Sequence, residues 1–416
     1  MKANWAVLEA FAGCQSMGDS SSRIRVFKYR LYPIKAQEKN LYRVLNCARN
    51  LYNMALAECK YGYQLEGRKV TLADTEKLAK HYRATFPYAD QMFSQTAQSV
   101  VKQVDLAYQA FFRRVKAGEK AGYPRFKGRN RFNSFEFKQY GSGAKIDGRR
   151  LKLYGIGRVP VRWHRPIEGV IKTVRIVLKA GKWYACFACE VSASEPLPAT
   201  GRVVGLDMGL SALITTSDGG KVENPNYYRA GQKRLRVLQR RLSRAKRGSK
   251  NRWKAKRQVQ RWHEHVANQR RDFAHKLSTE LVQQYDGIAL EDLRVGNMVR
   301  NKHLSKSILD SGWSMFRQFL TYKAASAGRV TAFVDPAYTS KTCSRCGALF
   351  EHLTLSERWG ECDCGLNMDR DHNAAVNILR RTGWDTPMSD NVAPLPTSQG
   401  EGKRKRRSEA TRLQPL

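Results

Sequence analysis

The most constraining stretch of this chain starts at residue 202, where short apolar runs and long helical ones follow one another in a set order. VVGLDMG (203–209) reads as a strand, LITTS (213–217) as a second, and the turn Ser217-Asp218-Gly219-Gly220 leads into a third. Between 229 and 271 stand 17 Lys or Arg and one acid, Glu264. The apolar residues there keep a helical period: Leu235, Leu238 and Leu242, then Val259, Trp262, Val266, Phe273, Leu277 and Leu281. Gly248-Ser249 divides them, so the spacing predicts a helical hairpin over 229–285 with an apolar seam and a basic outer face. GIALEDL (287–293) predicts a strand, residues 306–327 a helix, and RVTAFVD (329–335) a further strand. That order, three strands, helix, strand, helix, strand, is the order of RNase H-like folds, an analogy of fold that does not by itself establish chemistry.

The first half of the chain is different. IRVFKYRLY (24–32) predicts a strand ended by Pro33. Residues 35–64 carry Leu41, Val44, Leu45, Ala48, Leu51, Tyr52, Ala55 and Leu56 at helical spacing, and 94–116 carry Val101, Val104, Tyr108, Phe111 and Phe112 likewise. In RRVKAGEKAGYPRFKGRNRF (113–132) basic and aromatic residues interleave. Cations meet phosphates and rings stack on unpaired bases, so Tyr123, Arg125, Phe126 and Lys127 are candidates for holding single-stranded nucleic acid. A basic loop with aromatic anchors would read the same way. From 133 to 193, KIDGRRLKL, VRIVLKAG and KWYACFACEV are short strand-like runs, with a hairpin expected at Ala180-Gly181. Cys186 and Cys189 fall on opposite faces of such a strand, which favours packing over metal binding. SEPLPATG (194–201) reads as a linker. Residues 1–22 form an extension, and 382–416, rich in Pro, Ser and Gly with the run KRKRR (403–407), predict a disordered tail.

Charge narrows the partners. The 416 residues hold 75 Lys plus Arg against 36 acids, a net charge of +39 that a polyanion would neutralise. Phosphate contacts release condensed counterions, so binding is expected to weaken steeply with salt. With one acid for intrahelical pairing, the hairpin's Arg240, Arg241, Arg244, Lys246, Arg247, Lys254, Lys256, Arg257, Arg270 and Arg271 read as a surface facing nucleic acid. No stretch reaches the roughly 18 apolar residues of a membrane span. Nine cysteines, an odd number with four grouped late, argue against a secreted disulfide framework, so an intracellular protein is expected.

Two groups of residues carry chemistry. Cys343-Ser344-Arg345-Cys346 and Cys362-Asp363-Cys364 offer four thiolates, the ligand set of a tetrahedral structural zinc; the second pair is C-x-C instead of the ordinary C-x2-C, and His352 is a substitute ligand. Little core is available between the pairs, so a metal would supply most of this segment's folding energy, on the order of 10 kcal/mol. Asp207 lies inside an apolar strand, Glu291 ends another, and Asp371 precedes a helix bearing Ala374, Ala375 and Ile378. If three such acids met, each pair at 4 Å would repel by about 4 kcal/mol at an effective dielectric of 20. Divalent cations with a taste for oxygen ligands, Mg²⁺ foremost, remove that penalty and support phosphoryl displacement.

The matching stretches RLYPIKAQ (30–37), AGYPRFKG (121–128), GLDMGL (205–210), NQRRDFAHKLST (268–279), LEDL (290–293), SGW (311–313), CSRCG (343–347) and CGLNMDRDHNAAVNI (364–378) give the chain a resemblance to the TnpB family. These are insertion-sequence-encoded nucleases related to type V CRISPR effectors. The resemblance covers about 23–380 and implies an α+β multidomain protein. Its parts would be a β-barrel wedge domain over 23–200 with a helical recognition insertion at about 34–130, and an RNase H-like RuvC nuclease domain in two pieces, 201–342 and 366–381, with a zinc ribbon at 343–365 between them. It further implies that Asp207, Glu291 and Asp371 are the catalytic acids holding two Mg²⁺, and that Cys343, Cys346, Cys362 and Cys364 hold one structural Zn²⁺. Asp369 and Asp292 are neighbouring rivals for the last two acids. The implied partners are a transposon-derived guide RNA and double-stranded target DNA, cut beside a short flanking motif by a monomer with its RNA, in the cytoplasm and on the nucleoid. A nuclease-silent RNA-guided regulator and a strand-transferring transposase are the alternatives.

Overall fold

The computed structural model describes residues 22–129, 131–193, 195–350 and 357–384; the N-terminal extension up to 21, His352 and the tail from 385 lie outside the described residues. They divide into two compact units, one ending at 193 and the other starting at 195.

The first unit is a single antiparallel sheet with helices inserted after its first strand. Its strands are β1 (Ser22–Leu31), β2 (Ser134–Phe137), β3 (Ala144–Asp147), β4 (Arg150–Leu153), β5 (Gly157–Arg162), β6 (Val170–Lys179) and β7 (Lys182–Ser192), ordered β2-β6-β7-β1-β5-β4-β3. The edge strands β2 and β3 are consecutive in sequence. Lying flat they would stand about 29 Å apart, at roughly 4.8 Å per strand, yet the seven steps from Phe137 to Ala144 reach about 25 Å at most. The sheet therefore curls toward closure. Alternation supplies the interior: Phe27, Tyr29 and Leu31 on β1, and Trp183, Ala185, Phe187, Cys189 and Val191 on β7, are buried. Cys186 sits half-buried on the opposite face from Cys189, and Ala180 and Gly181, with φ of 47° and 72°, make the hairpin expected there.

Between β1 and β2 come α1 (Lys35–Glu66), α2 (Leu72–Thr85) and α3 (Ser94–Lys116). All eight apolar residues read as the helical face of α1 are buried. α2 was not foreseen. Its signal is the capping box Thr71-x-x-Asp74, in which Thr71 N–H donates to Asp74 Oδ2 at 2.9 Å and Asp74 N–H to Thr71 Oγ1 at 3.3 Å.

The second unit is built on a five-stranded sheet, β8 (Val203–Asp207), β9 (Ala212–Thr216), β10 (Lys221–Glu223), β11 (Gly287–Glu291) and β12 (Val330–Val334), in the order β10-β9-β8-β11-β12. β8, β11 and β12 run parallel, with Leu206 beside Leu290, while β9 is antiparallel to β8. Such strands are covered on both faces, which is why β8 and β11 are apolar almost throughout. The basic hairpin is α4 (Tyr227–Arg244) and α5 (Lys250–Gln284), closed by Ser249 Oγ accepting from Arg252 N–H at 3.1 Å. The helix expected over 306–327 is two, α6 (Ser305–Ser311) and α7 (Trp313–Ser326), broken at Gly312, whose φ is 71°. The break lets the buried Asp310 accept from the backbone N–H groups of Tyr228 and Arg229 at the start of α4. A small pair, β13 (Trp359–Glu361) and β14 (Asn367–Asp369), leads into α8 (Arg370–Arg380).

Candidate active site and cysteine cluster

Asp207 and Glu291 end adjacent strands of the sheet, at the C-terminal edge where β8 and β11 run side by side. α8 brings the third acid. A Cβ on Gly205 would strike the Ala375 carbonyl and the Leu379 N–H, so the helix lies directly on the strand backbone there. Gly205 and Asp207 share one face of β8 about 6.6 Å apart. Ala375 and Asp371 share one face of α8, a turn or about 6 Å apart. The two offsets match, so a helix seated on Gly205 carries Asp371 to the level of Asp207.

The acids influence one another accordingly. The Asp207 carboxyl is pushed up to about 8, first by burial and then by the charges of Glu291 and Asp371, against a lowering by Arg370. Glu291, 7% exposed, is also held above the usual carboxylate range by burial, opposed by a hydrogen bond from Thr339 and by Arg381. Asp371 Oδ2 lies 3.4 Å from the Arg358 guanidinium. The two rivals are occupied otherwise. Asp369 caps α8, accepting from the N–H groups of Asp371 and His372, and pairs with Lys221 Nζ at 2.7 Å. Although burial pushes Asp369 up, these bonds hold its carboxyl below the usual range. Asp292 pairs with Arg317 at 2.6 Å.

The four cysteines form a tighter group. Their sulfurs all lie within 4.8 Å of one another, with Cys343 to Cys364 at 3.6 Å and Cys346 to Cys362 at 3.5 Å. Four sulfurs at zinc's bonding distance of about 2.3 Å in a tetrahedron stand roughly 3.8 Å apart, so the donor set fits one Zn²⁺. The C-x-C half achieves this with a turn one residue shorter. Cys343 N–H donates to Ala348 O and Gly347 N–H back to Cys343 O; Cys362 N–H donates to Leu366 O and Gly365 N–H to Cys362 O. Both turns close through a left-handed glycine, Gly347 at φ 83° and Gly365 at φ 81°. Among the described residues this is the one group of three or more such ligands already gathered closely enough to hold an ion; the carboxylates, though coupled, stand wider apart.

Several site residues were not visible in the sequence. Thr339 reaches Glu291, while Asn373 and Asn377 tie α8 to residues 339–344. Two buried asparagines within an apolar helical face were the available signal. Of the proposed nucleic-acid contacts, Arg240, Arg241, Arg244, Lys246, Arg247, Lys254 and Arg271 are exposed, and Lys256 is half-buried. Arg257, half-buried, lies over the Trp253 ring at 4.5 Å. Arg270, half-buried, turns its guanidinium inward, with Nε on the buried Asp310 carboxylate at 3.0 Å. A buried carboxylate needs such a partner, which a count of basic residues does not reveal. In the loop, Arg125 and Phe126 are exposed. Tyr123 is exposed as well, while packing edge-on against Phe111 and bonding the Tyr108 hydroxyl at 2.8 Å; Lys127 is half-buried, with its backbone N–H held by Asn53.

Comparison with known proteins places this arrangement. A family profile described as "Probable transposase" matches residues 186–302, one described as "Cas12f1-like, TNB domain" matches 313–378, and one described as "Helix-turn-helix domain" matches 21–69, a range that includes β1 and α1. A Streptomyces pristinaespiralis protein named "Putative RNA-guided DNA endonuclease" is 34% identical over 385 residues, 91% of this chain and 94% of its own. "Putative RNA-guided DNA endonuclease InsQ" of Escherichia coli (strain K12) is 35% identical over 377 residues, 86% of this chain and 92% of its own. The chain belongs to the TnpB family. Among solved structures, a Cas12f1-sgRNA-target DNA complex determined by cryo-EM aligns with a TM-score of 0.55 at 14% identity, over 86% of this chain and 99% of that one. At that identity the likeness is one of fold: this TnpB-family chain shares the α+β architecture of that effector. Among the described residues, no helix is long and apolar enough to cross a membrane.

Proposed function

We propose that this protein is an RNA-guided DNA endonuclease of a transposable element, hydrolysing phosphodiester bonds at Asp207, Glu291 and Asp371. The observation that carries the reading is the convergence of three acids from β8, β11 and α8, with Asp207 pushed up to about 8 by burial and by the other two. A carboxyl so placed keeps its proton near neutrality in the chain alone, and a cation is what would displace it. The names of the relatives supply the substrate class.

The donor set, hard carboxylate oxygens short of compensating charge, fits Mg²⁺; two ions, when bound, would activate water and stabilise the leaving oxygen of an in-line displacement. The chain's own residues fix the acids for this work. β8 and β11 hold Asp207 and Glu291 on rigid neighbouring strands, and α8 sets Asp371 through its contact at Gly205. Zn²⁺ at the four cysteines is structural. In domain terms, 23–200 is the wedge domain, 201–342 and 366–381 are the RuvC-like nuclease domain, and 343–365 is a zinc ribbon. The strand order of the second sheet supports the nuclease assignment. Exposed cations of the α4–α5 hairpin and of the loop around Arg125 serve the guide RNA and the double-stranded target. The protein acts as a monomer with its RNA, on DNA in the cytoplasm, beside a short flanking motif.

The test is cleavage of a guide-matched duplex with and without Mg²⁺. Asp207→Ala should lower cleavage at least about a thousandfold while copurifying RNA is retained. A variant that cuts like its parent would remove Asp207 from the active site, and joined DNA products in place of cut ends would point to a transposase.

A further inference from the structure

We infer that Thr339 is a positioning residue for Glu291 and that it couples this acid to the cysteine cluster; the inference rests on the reading of Glu291 as a cation-holding acid. The Thr339 hydroxyl donates to Glu291 Oε1 at 2.5 Å, with Thr339 3% and Glu291 7% exposed. Among the described residues Oε2 has no hydrogen-bonding partner. One oxygen of the carboxylate is thus engaged, which sets the rotation of the group and leaves the other for a cation.

What fixes Thr339 is the helix that carries Asp371. Asn377 Nδ2 donates to the Thr339 and Thr342 carbonyls at 2.9 and 2.6 Å. Asn373, one turn earlier and fully buried, donates to Thr342 O at 2.7 Å and accepts from Ser344 N–H at 2.8 Å. Ser344 stands between Cys343 and Cys346, inside the first turn of the cluster. The Arg381 guanidinium holds the Asp335 and Ala337 carbonyls at 2.6 and 2.7 Å. The segment is also bent against preference: Tyr338 has a φ of 61°, a conformation a bulky side chain adopts only where surrounding contacts hold it. A continuous run of hydrogen bonds of 2.5 to 2.9 Å thus joins the cysteine turn to Glu291 through Asn373, Asn377 and Thr339. The span from Glu291 to Asp371 is set by this strap as well as by the sheet.

The full zinc-loaded chain, titrated with Mn²⁺ and followed by the EPR signal of the free ion, tests the inference without reference to cleavage. Thr339→Val keeps the shape and removes the hydroxyl; it should bind Mn²⁺ about tenfold or more weakly at unchanged zinc content, within the range expected when a partner of a ligating group is lost. Thr339→Ser restores the donor and should recover binding to within about threefold of the parent. The Mg²⁺ concentration for half-maximal cleavage should rise in the Val variant and return in the Ser variant. Thr339→Val binding Mn²⁺ like the parent, or Thr339→Ser failing as badly as Val, overturns the inference and leaves the acids' assignment standing. A parent chain that binds no Mn²⁺ overturns both.

Discussion

The cysteine cluster and the carboxylate site stand one strap apart, yet they solve opposite problems. Thiols are less acidic than carboxylates, and the four sulfurs stand close together, with pairs at 3.5 and 3.6 Å. Carboxylates near neutrality resist such closure, and the protein answers by lodging Asp207 where its carboxyl is held up to about 8. The cluster is also local, made by two turns between 343 and 364, whereas the acids come from 207, 291 and 371 and meet only through a folded sheet and a seated helix.

The largest break in this comparison should come from the cysteine side. Cys346→Ser, or extraction by a strong chelator, should remove one equivalent of zinc and cost the local segment on the order of 10 kcal/mol. Hydrogen exchange over 339–350 and 357–366 should then lose its protection, with cleavage falling as well. Retained protection without the metal would show that packing alone holds the segment.

A smaller effect, of opposite sign, is expected from the acids. The Asp207 carboxyl is raised to about 8 from an ordinary 3.8, so between those values the folded chain binds the extra proton. Stability of the ion-free protein should therefore fall as pH rises from about 4 to 8 and level off above. Asp207→Asn removes this penalty and should raise the ion-free melting temperature at pH 8 more than at pH 5, by about 2–4 °C for each kcal/mol relieved. An equal shift at both pH values would mean the carboxyl is not strained by its neighbours.

The smallest effect sharpens the reading of the basic hairpin. Removing one exposed cation, Arg241→Gln, should weaken RNA binding uniformly and reduce the slope of log affinity against log salt by about one. Arg270→Gln should instead destabilise the fold through Asp310.

Much of this was legible in the sequence because it is periodic or local. The eight-residue apolar face of α1, the seam of α4–α5 and the strands ending in Asp207 and Glu291 announce themselves within a few turns of chain. The capping box at Thr71, spanning four residues, is equally local. The inward turn of Arg270, the grip of Asn373 and Asn377, and Thr339 against Glu291 depend on partners 29 to 48 residues away, and no window of sequence brings those together. The break at Gly312 lies between: a lone glycine in a helical run is ordinarily tolerated, and only the demand of Asp310 for its partners decides it.

The contact at Gly205 means that the spacing between Asp207 and Asp371 is governed by a residue with no functional group. One methyl there would wedge α8 outward and draw Asp371 away from Asp207 while leaving each acid chemically intact. If the three acids act as proposed, cleavage would depend on clearance between backbones and could be lost with every carboxylate unchanged.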